Sequence, residues 1–154
     1  MQRCVPALFV IVLSACGGAS APANHAALAG PCAYLSTSDF NSTLGMPMAG
    51  YQSGPTCFSR DERGDSCSVT VTRDPARYAT SKVSAAAYGS IESLPAGSKG
   101  FYSAKPQVLP AVWIFDFGFM KSGAFGGAVC GGRFGSANPK PLAVKLANTI
   151  ASKL

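Results

Sequence analysis

A regular alternation of side chains marks the clearest element of the chain, a β-strand predicted at residues 108–120. The period of two places four aromatic side chains on one face of this strand: Trp113, Phe115, Phe117 and Phe119. Such a stripe is more typical of a core than of a binding platform. A turn at residues 121–123 leads to a returning strand at residues 124–133. Glycines at positions 126, 127, 131 and 132 leave room for bulky neighbours to pack against that strand.

The first helix is defined by its capping residues. Ser36 is suited to cap a helix, and Asp39 stands three residues later, as a capping box requires. Gly45 supplies the residue that commonly ends a helix. We therefore predict a short helix at residues 37–44.

Two further helices begin at a cap residue that is followed by proline. Asp74 caps a helix with a weak apolar stripe, formed by Ala76, Ala79, Val83 and Ala87. Asn138 caps a final helix with a stronger apolar face that recurs every four residues: Leu142, Leu146, Ile150 and Leu154. We expect this last face to dock on the sheet.

Shorter strands are predicted at residues 56–60, 66–72 and 101–103, the first two joined as a hairpin by a polar turn at residues 61–65. Helices and strands then follow in the order α-β-β-α-β-β-β-α. This order predicts an α+β domain with a mostly antiparallel sheet of about five strands, bridged by disulfides, with its helices packed on one face.

The N-terminus has the features of an export signal. Residues 1–15 are predicted to be a lipoprotein signal peptide, because Arg3 precedes an apolar stretch too short to span a bilayer, which takes about 20 residues. Leu13-Ser14-Ala15 before Cys16 is typical of a lipobox, in which the cysteine thiol accepts a diacylglycerol. The alternative is an ordinary secretion signal that contains a cysteine.

The chain after the signal divides into two parts. Residues 16–30 consist mainly of small and polar residues and are predicted to form a flexible tether. Residues 31–154 are predicted to form the single α+β domain. Gly17, rather than an aspartate, follows Cys16, so we expect sorting to the periplasmic side of the outer membrane in a bacterium with two membranes.

The charge pattern argues against a nucleic-acid partner. The formal net charge is +6, but the Lys and Arg residues are scattered along the chain. A nucleic-acid-binding surface needs clustered cations. A soluble basic surface is the simpler interpretation, and weak attraction to anionic lipid or glycan is the alternative.

Four cysteines follow Cys16 in the chain: Cys32, Cys57, Cys67 and Cys130. An even number in a small exported domain indicates two disulfides. A zinc site is disfavoured because closely spaced Cys-x-x-Cys pairs are absent from the sequence. We predict neither a metal nor another cofactor. Four cysteines allow three pairings, and their spacing leaves the choice open.

Several short motifs resemble a family of small bacterial lipoproteins of unknown function. That family opens with Pro-Cys-x-Leu-Leu-Thr, a short helix and Leu-Gly, and later has a cysteine followed by an aromatic residue. The matching segments here are Pro31-Cys32-Ala33-Tyr34-Leu35-Ser36, Asp39-Phe40, Leu44-Gly45, Cys57-Phe58, residues 97–101 and the Ala-rich helix at 143–154. The similarity covers roughly residues 31–154 and implies a fold and an envelope location, without an activity.

The resemblance also implies a disulfide pairing. The first two cysteines are often the only ones in that family, which pairs Cys32 with Cys57 and leaves Cys67 with Cys130. The alternative places Cys57 opposite Cys67 across the hairpin, which leaves Cys32 with Cys130. Either bridge would add roughly 2–4 kcal/mol to the free energy of unfolding.

Groups suited to catalysis are few. His25 is the only histidine, and the tether that contains it cannot hold a base against a nucleophile. Asp116 lies between Phe115 and Phe117, so it is a candidate for a ligand contact or an acid with a raised pKa, with a structural hydrogen-bonding role as the alternative. A glycosidase needs a second placed carboxylate, which the sequence does not nominate. We predict no catalytic residues.

The segment Arg63-Gly64-Asp65 spells the tripeptide that integrins recognise. It falls at the tip of the predicted hairpin, where Arg63 and Asp65 would be displayed as possible binding residues. A match of three residues in a turn also arises by chance.

These features predict a lipid-anchored cell-envelope lipoprotein that acts as a non-catalytic binding or assembly module. Its expected partners are the membrane, through the anchor at Cys16, and an envelope protein or glycan. The alternatives are a small enzyme that acts on cell-wall or glycan material and an inhibitor of host hydrolases. A pocket that joins Asp116 to a second carboxylate or a lysine would favour the enzyme.

Overall fold

The computed structural model describes residues 28–109, 112–135 and 138–154. The predicted signal peptide, Cys16, His25 and most of the tether lie outside the described residues. Three α-helices are formed in the described part: α1 (Thr37–Leu44), α2 (Ala76–Ala85) and α3 (Lys140–Ser152). Short 3₁₀ helices lie at Pro31–Ala33 and, directly after α2, at Ala86–Tyr88. None of the helices in these ranges is long and apolar enough to cross a membrane.

Seven strands of the described chain form one open antiparallel sheet. They are β1 (Ala49–Ser53), β2 (Thr56–Arg60), β3 (Ser66–Thr72), β4 (Glu92–Ser93), β5 (Lys99–Pro106), β6 (Val112–Lys121) and β7 (Ala124–Arg133). Their order across the sheet is β1-β2-β3-β7-β6-β5-β4, with every neighbouring pair antiparallel. The predicted α+β class and antiparallel sheet are therefore confirmed.

The prediction of about five strands is wrong because two edge strands carry no apolar pattern. Every residue of β1 is exposed, so its sequence lacks the alternation that a half-buried strand shows. β4 has only two residues, and both are exposed. The edge strands β1 and β4 each form backbone hydrogen bonds to one neighbouring strand. Such bonds do not require apolar side chains, so the hydrophobic pattern does not predict them.

Helices cover both faces of the sheet, which corrects the prediction that they pack on one face. On the first face, hereafter the α3 face, Phe119 of β6 packs in one cluster with Ile150 of α3. On the opposite face, hereafter the α2 face, Ala85 of α2 packs with Phe101 and Phe125. Strands with large apolar residues at both alternating positions need a cover on each side.

The predicted capping box of α1 and the centre of the apolar face of α3 are confirmed, whereas Pro139 rather than Asn138 occupies the N-cap of α3. The Asp39 N–H donates to Ser36 Oγ at 3.2 Å, and the Ser36 N–H donates to Asp39 Oδ2 at 2.8 Å, which completes the capping box. Gly45 ends α1 with a φ of 70°. On α3, Leu146 and Ile150 are fully buried, as the four-residue spacing predicted.

The apolar stripe predicted for α2 is wrong. Val83 is 77% exposed. The other stripe members are also exposed: Ala76, Ala79 and Ala87. The side that meets the sheet holds buried Ala85 and half-buried Tyr78, whose ring lies edge-on to Phe101 with 5.5 Å between centroids. A stripe dominated by alanine offers too little apolar area to decide which side of a helix docks.

Two disulfides tie the chain to the sheet. Cys32–Cys57 joins the first 3₁₀ helix to β2, and Cys67–Cys130 joins β3 to β7 at directly opposed register positions. The pairing that the resemblance implied is confirmed. The alternative of Cys57 with Cys67 is wrong, because the register places Ser59 opposite Cys67 on β2.

Candidate binding groove

One row of register partners crosses six strands on the α2 face. From β1 to β5 it consists of Tyr51, Phe58, Ser68, Val129, Asp116 and Ser103. Side chains at directly opposed antiparallel positions share one face of a sheet. Tyr51 at the β1 end is 66% exposed, whereas Ser103 at the β5 end is 0% exposed. The difference arises because α2 and the 3₁₀ helix Ala86–Tyr88 contact β5 and β6.

A second row of register partners lies on the same face, offset from the first row by two residues along each strand. It consists of Ala49, Arg60, Ser66, Gly131, Ile114 and Lys105. Over the open part of the two rows lies a cavity of about 550 Å³, hereafter the sheet groove. Its lining includes Tyr51, Phe58, Arg60, Ser66, Ser68, Tyr88, Ile114 and Val129. Pockets for small ligands commonly measure about 300–1,000 Å³.

An exposed aromatic pair stands at the β1 end of the sheet groove. Tyr51 and Phe58 are cross-strand partners whose rings stack with 5.4 Å between centroids and 23° between planes. Tyr88, from the 3₁₀ helix after α2, contributes a third ring to the lining. Neighbouring aromatic rings that stay in contact with water form an apolar surface, and such surfaces often mark binding sites.

The polar lining of the sheet groove is cationic. Arg60 is exposed, and its guanidinium extends towards Gly64 in the turn between β2 and β3. The two aspartates of that turn are already engaged: Asp61 accepts from Arg63 Nε at 3.0 Å, and Asp65 Oδ1 accepts from the Arg133 N–H at 3.0 Å. No carboxylate belongs to the lining formed by the described residues. The hydroxyls of Ser66 and Ser68 complete its polar part.

Asp116 belongs to the first row but lies outside the sheet groove, on the part of the sheet that α2 covers. Its side chain is 4% exposed, and desolvation raises the pKa of its carboxyl to about 7, against the smaller opposing effect of the Arg77 guanidinium. Asp116 does not line the groove, although its partner Val129 does. Its other partner is Ser103, so neither cross-strand neighbour is an acid or a base.

The two charged residues of the Arg63-Gly64-Asp65 turn differ in their exposure to solvent. Arg63 is exposed and pairs with Asp61, whereas Asp65 is only 5% exposed. A side chain added at Gly132 would meet Asp65 Oδ1 at 2.6 Å, so the carboxyl packs directly on the β7 backbone. Asp65 thus supports the end of the sheet and lies apart from the row that contains Asp116.

The described part of the chain contains no group of three or more His, Cys, Asp or Glu side chains that could hold a metal ion. The cysteines at positions 32, 57, 67 and 130 are all in disulfides.

No protein-family model, curated protein or solved structure matches this chain. The resemblance of residues 31–154 to small bacterial lipoproteins stays a prediction.

The groove aromatics were not identified from the sequence. Tyr51 lies on β1, which has no apolar alternation, so its position on a sheet face could not be assigned. Phe58 did carry a signal, because it alternates with buried Cys57 and Ser59 and therefore points away from their face. Phe115, Phe117 and Phe119 are fully buried, which confirms that the more prominent aromatic stripe belongs to the core.

Proposed function

We propose that this protein is a lipid-anchored binding module of the bacterial cell envelope and that the sheet groove is its binding site. The observation that carries the proposal is the stacked pair of Tyr51 and Phe58, which stays exposed on the part of the α2 face that α2 leaves open. The fold buries the seven other phenylalanines in the described ranges but leaves this pair accessible beside the cationic Arg60. The pair is well placed to contact a partner.

The proposed anchor is Cys16, in the segment Leu13-Ser14-Ala15-Cys16. Two disulfides within the described chain agree with an oxidising location outside the cytoplasm. Several acyl chains on one residue bind a membrane strongly, since each buried methylene contributes roughly 0.8 kcal/mol. We propose the periplasmic side of the outer membrane as the location where the bacterium has two membranes.

We propose a non-catalytic role for the sheet groove. Asp116, whose pKa lies near neutrality, is separated from the groove lining, and its cross-strand partners are Ser103 and Val129. A general acid or base must come within hydrogen-bond reach of the reacting group. The buried carboxyl is more consistent with a role in the packing between the sheet and α2.

Detergent phase partitioning tests the anchor. The wild-type protein should enter the detergent phase, and Cys16→Ser should move it to the aqueous phase because a hydroxyl cannot form the thioether to lipid. Cys4→Ser is the matched control, since Cys4 lies within the proposed signal peptide and should have no effect on the mature protein. A Cys16→Ser protein that still enters the detergent phase would contradict the anchor.

Site-specific photocrosslinking in intact cells tests the binding site. A photoreactive residue at Ser68, in the groove lining, should give a reproducible adduct. The same residue at Val83, exposed on the outer side of α2, is the control and should give none above background. Equal capture from both positions would place the binding surface elsewhere.

A further inference from the structure

The two rows on the α2 face combine three kinds of contact in one place. The aromatic pair lies at the edge, the hydroxyls of Ser66 and Ser68 lie in the middle, and Arg60 lies on the second row. The open part of the first row runs from Tyr51 on β1, across β2 and β3, to Val129 on β7. At the usual strand spacing, this part of the row is about 14 Å long. The groove is longer than a single sugar ring.

We propose that the ligand of the sheet groove is an oligosaccharide that carries carboxylate groups. The proposal rests on the binding function proposed above and names its ligand class. The C–H bonds on one side of a pyranose ring form an apolar surface that can lie against aromatic rings, as Tyr51 and Phe58 offer. The hydroxyls around the ring edge match the donors and acceptors that serine hydroxyls provide.

Charge complementarity favours an acidic rather than a neutral saccharide. Arg60 lines the sheet groove and is exposed, and Lys105, also exposed, lies on the same row outside the lining. Among the ion pairs formed by the described residues, neither cation has a partner. The one carboxyl on these two rows, Asp116, is buried beyond the groove and outside its lining. A guanidinium can bind a carboxylate through two parallel hydrogen bonds, which gives Arg60 the geometry for this contact.

Calorimetric titration of the full-length protein in detergent tests the ligand class. The probes are a tetrasaccharide that contains muramic acid, whose lactyl groups carry carboxylates, and chitotetraose, which lacks them. We expect saturable binding of the acidic probe and at least tenfold weaker binding of chitotetraose. Phe58→Ala should weaken binding of the acidic probe at least tenfold, and Tyr51→Ala should act in the same direction.

Arg60→Gln separates the charge contact from the stacking contact. It should reduce the preference for the acidic probe to near unity while chitotetraose binding changes little. Val83→Ala is the control, since Val83 is exposed on α2 away from the groove. The melting temperature and near-UV circular dichroism of each variant must match those of the wild type, and Phe58→Leu provides a second, milder variant if Phe58→Ala does not.

Two results would overturn the saccharide ligand. One is the absence of saturable binding of both probes, and the other is binding that Phe58→Ala and Tyr51→Ala leave unchanged. Equal affinity for both probes, unaffected by Arg60→Gln, would overturn the requirement for carboxylates. Crosslinking from Ser68 to a protein alone would also reject the saccharide, while the binding function proposed for the groove would stand.

Discussion

Asp116 and Ser103 lie directly opposite each other on β6 and β5, and both side chains are buried on the α2 face. Ser103 Oγ has no hydrogen-bond partner within the described part of the chain. A carboxyl in such surroundings loses hydration on folding, and this loss penalises its ionised form. The pKa of Asp116 therefore rises from 3.8 to about 7, although Arg77 on α2 partly opposes the shift.

This raised pKa predicts that stability declines with rising pH. The folded protein holds the Asp116 proton more tightly than the unfolded chain, so the favourable contribution is complete below pH 4 and is lost as the pH rises through about 7. Asp116→Asn removes the titration. Between pH 5 and pH 8, the free energy of unfolding of the wild type should fall by about 2–3 kcal/mol relative to that of the variant. Urea titrations at both pH values measure this difference.

The pH range from 5 to 8 brackets the pKa of Asp116, and titrations shared by the wild type and Asp116→Asn cancel in the comparison. Desolvation alone would raise the pKa values of Asp39 and Asp61, but hydrogen bonds outweigh it and lower both: those from Ser36 and Lys153 act on Asp39, and those from Arg63 and Asp65 act on Asp61. Glu62→Gln, in the exposed turn, is the control and should follow the wild-type curve. Parallel curves for the wild type and Asp116→Asn would show that Asp116 keeps an ordinary pKa.

The elements that the sequence predicted well are those whose signals are local. Ser36, Asp39 and Gly45 define α1 within a few residues of chain, and the spacing of Leu146 and Ile150 defines the buried side of α3. Strand alternation likewise located the core side of β6. Each of these signals depends on backbone geometry that repeats over short distances.

The sheet groove depends on relationships that no short segment contains. Tyr51 and Ser103 belong to one row only because β1 and β5 join the same sheet, 52 residues apart in the numbering. The choice of face for α2 depends on Tyr78 meeting Phe101, a contact between elements that a weak alanine stripe does not specify. Local patterns therefore predicted the parts, whereas the groove follows from their assembly.

Close packing of α3 on the sheet requires Gly126 to lack a side chain. A Cβ at this position would lie 2.8 Å from Phe119 Cζ and 3.0 Å from Ile150 Cγ2, both of which belong to fully buried residues. We predict that Gly126→Ala lowers the free energy of unfolding by about 1–3 kcal/mol through overpacking. Guanidinium chloride unfolding measures the loss as a lower midpoint at unchanged slope.

Gly131→Ala is the matched control for Gly126→Ala. Both glycines lie on β7, but a Cβ at position 131 would meet only Ile114 Cγ1, at an ordinary 3.7 Å. We expect this variant to stay within about 0.5 kcal/mol of the wild type. Equal destabilisation by the two substitutions would instead point to a general effect of replacing glycine in β7.

The two disulfides should differ in their contributions to stability. Cys32–Cys57 closes a sequence separation of 25 residues, and Cys67–Cys130 closes one of 63 residues. The loop-entropy relation gives about 3.5 kcal/mol for the first and about 4.3 kcal/mol for the second. We predict the larger loss for the double variant Cys67→Ala, Cys130→Ala, measured by urea unfolding. A non-reducing peptide map that links Cys57 to Cys67 would contradict the pairing itself.

The Ser36 hydroxyl should stabilise α1 as its N-cap, at a helix start where Asp39 also contacts the end of α3. Asp39 Oδ2 accepts from the Ser36 N–H at 2.8 Å and from Lys153 Nζ at 2.9 Å. Ser36→Ala removes the hydroxyl that accepts from the Asp39 N–H, so we expect a loss of about 1 kcal/mol in the free energy of unfolding. Ser42→Ala is the control: its hydroxyl only donates to the Asp39 carbonyl within α1, and alanine favours helix, so stability should stay equal or rise. A Ser36→Ala protein as stable as Ser42→Ala in thermal and urea unfolding would show that the Ser36 hydroxyl does not stabilise the protein.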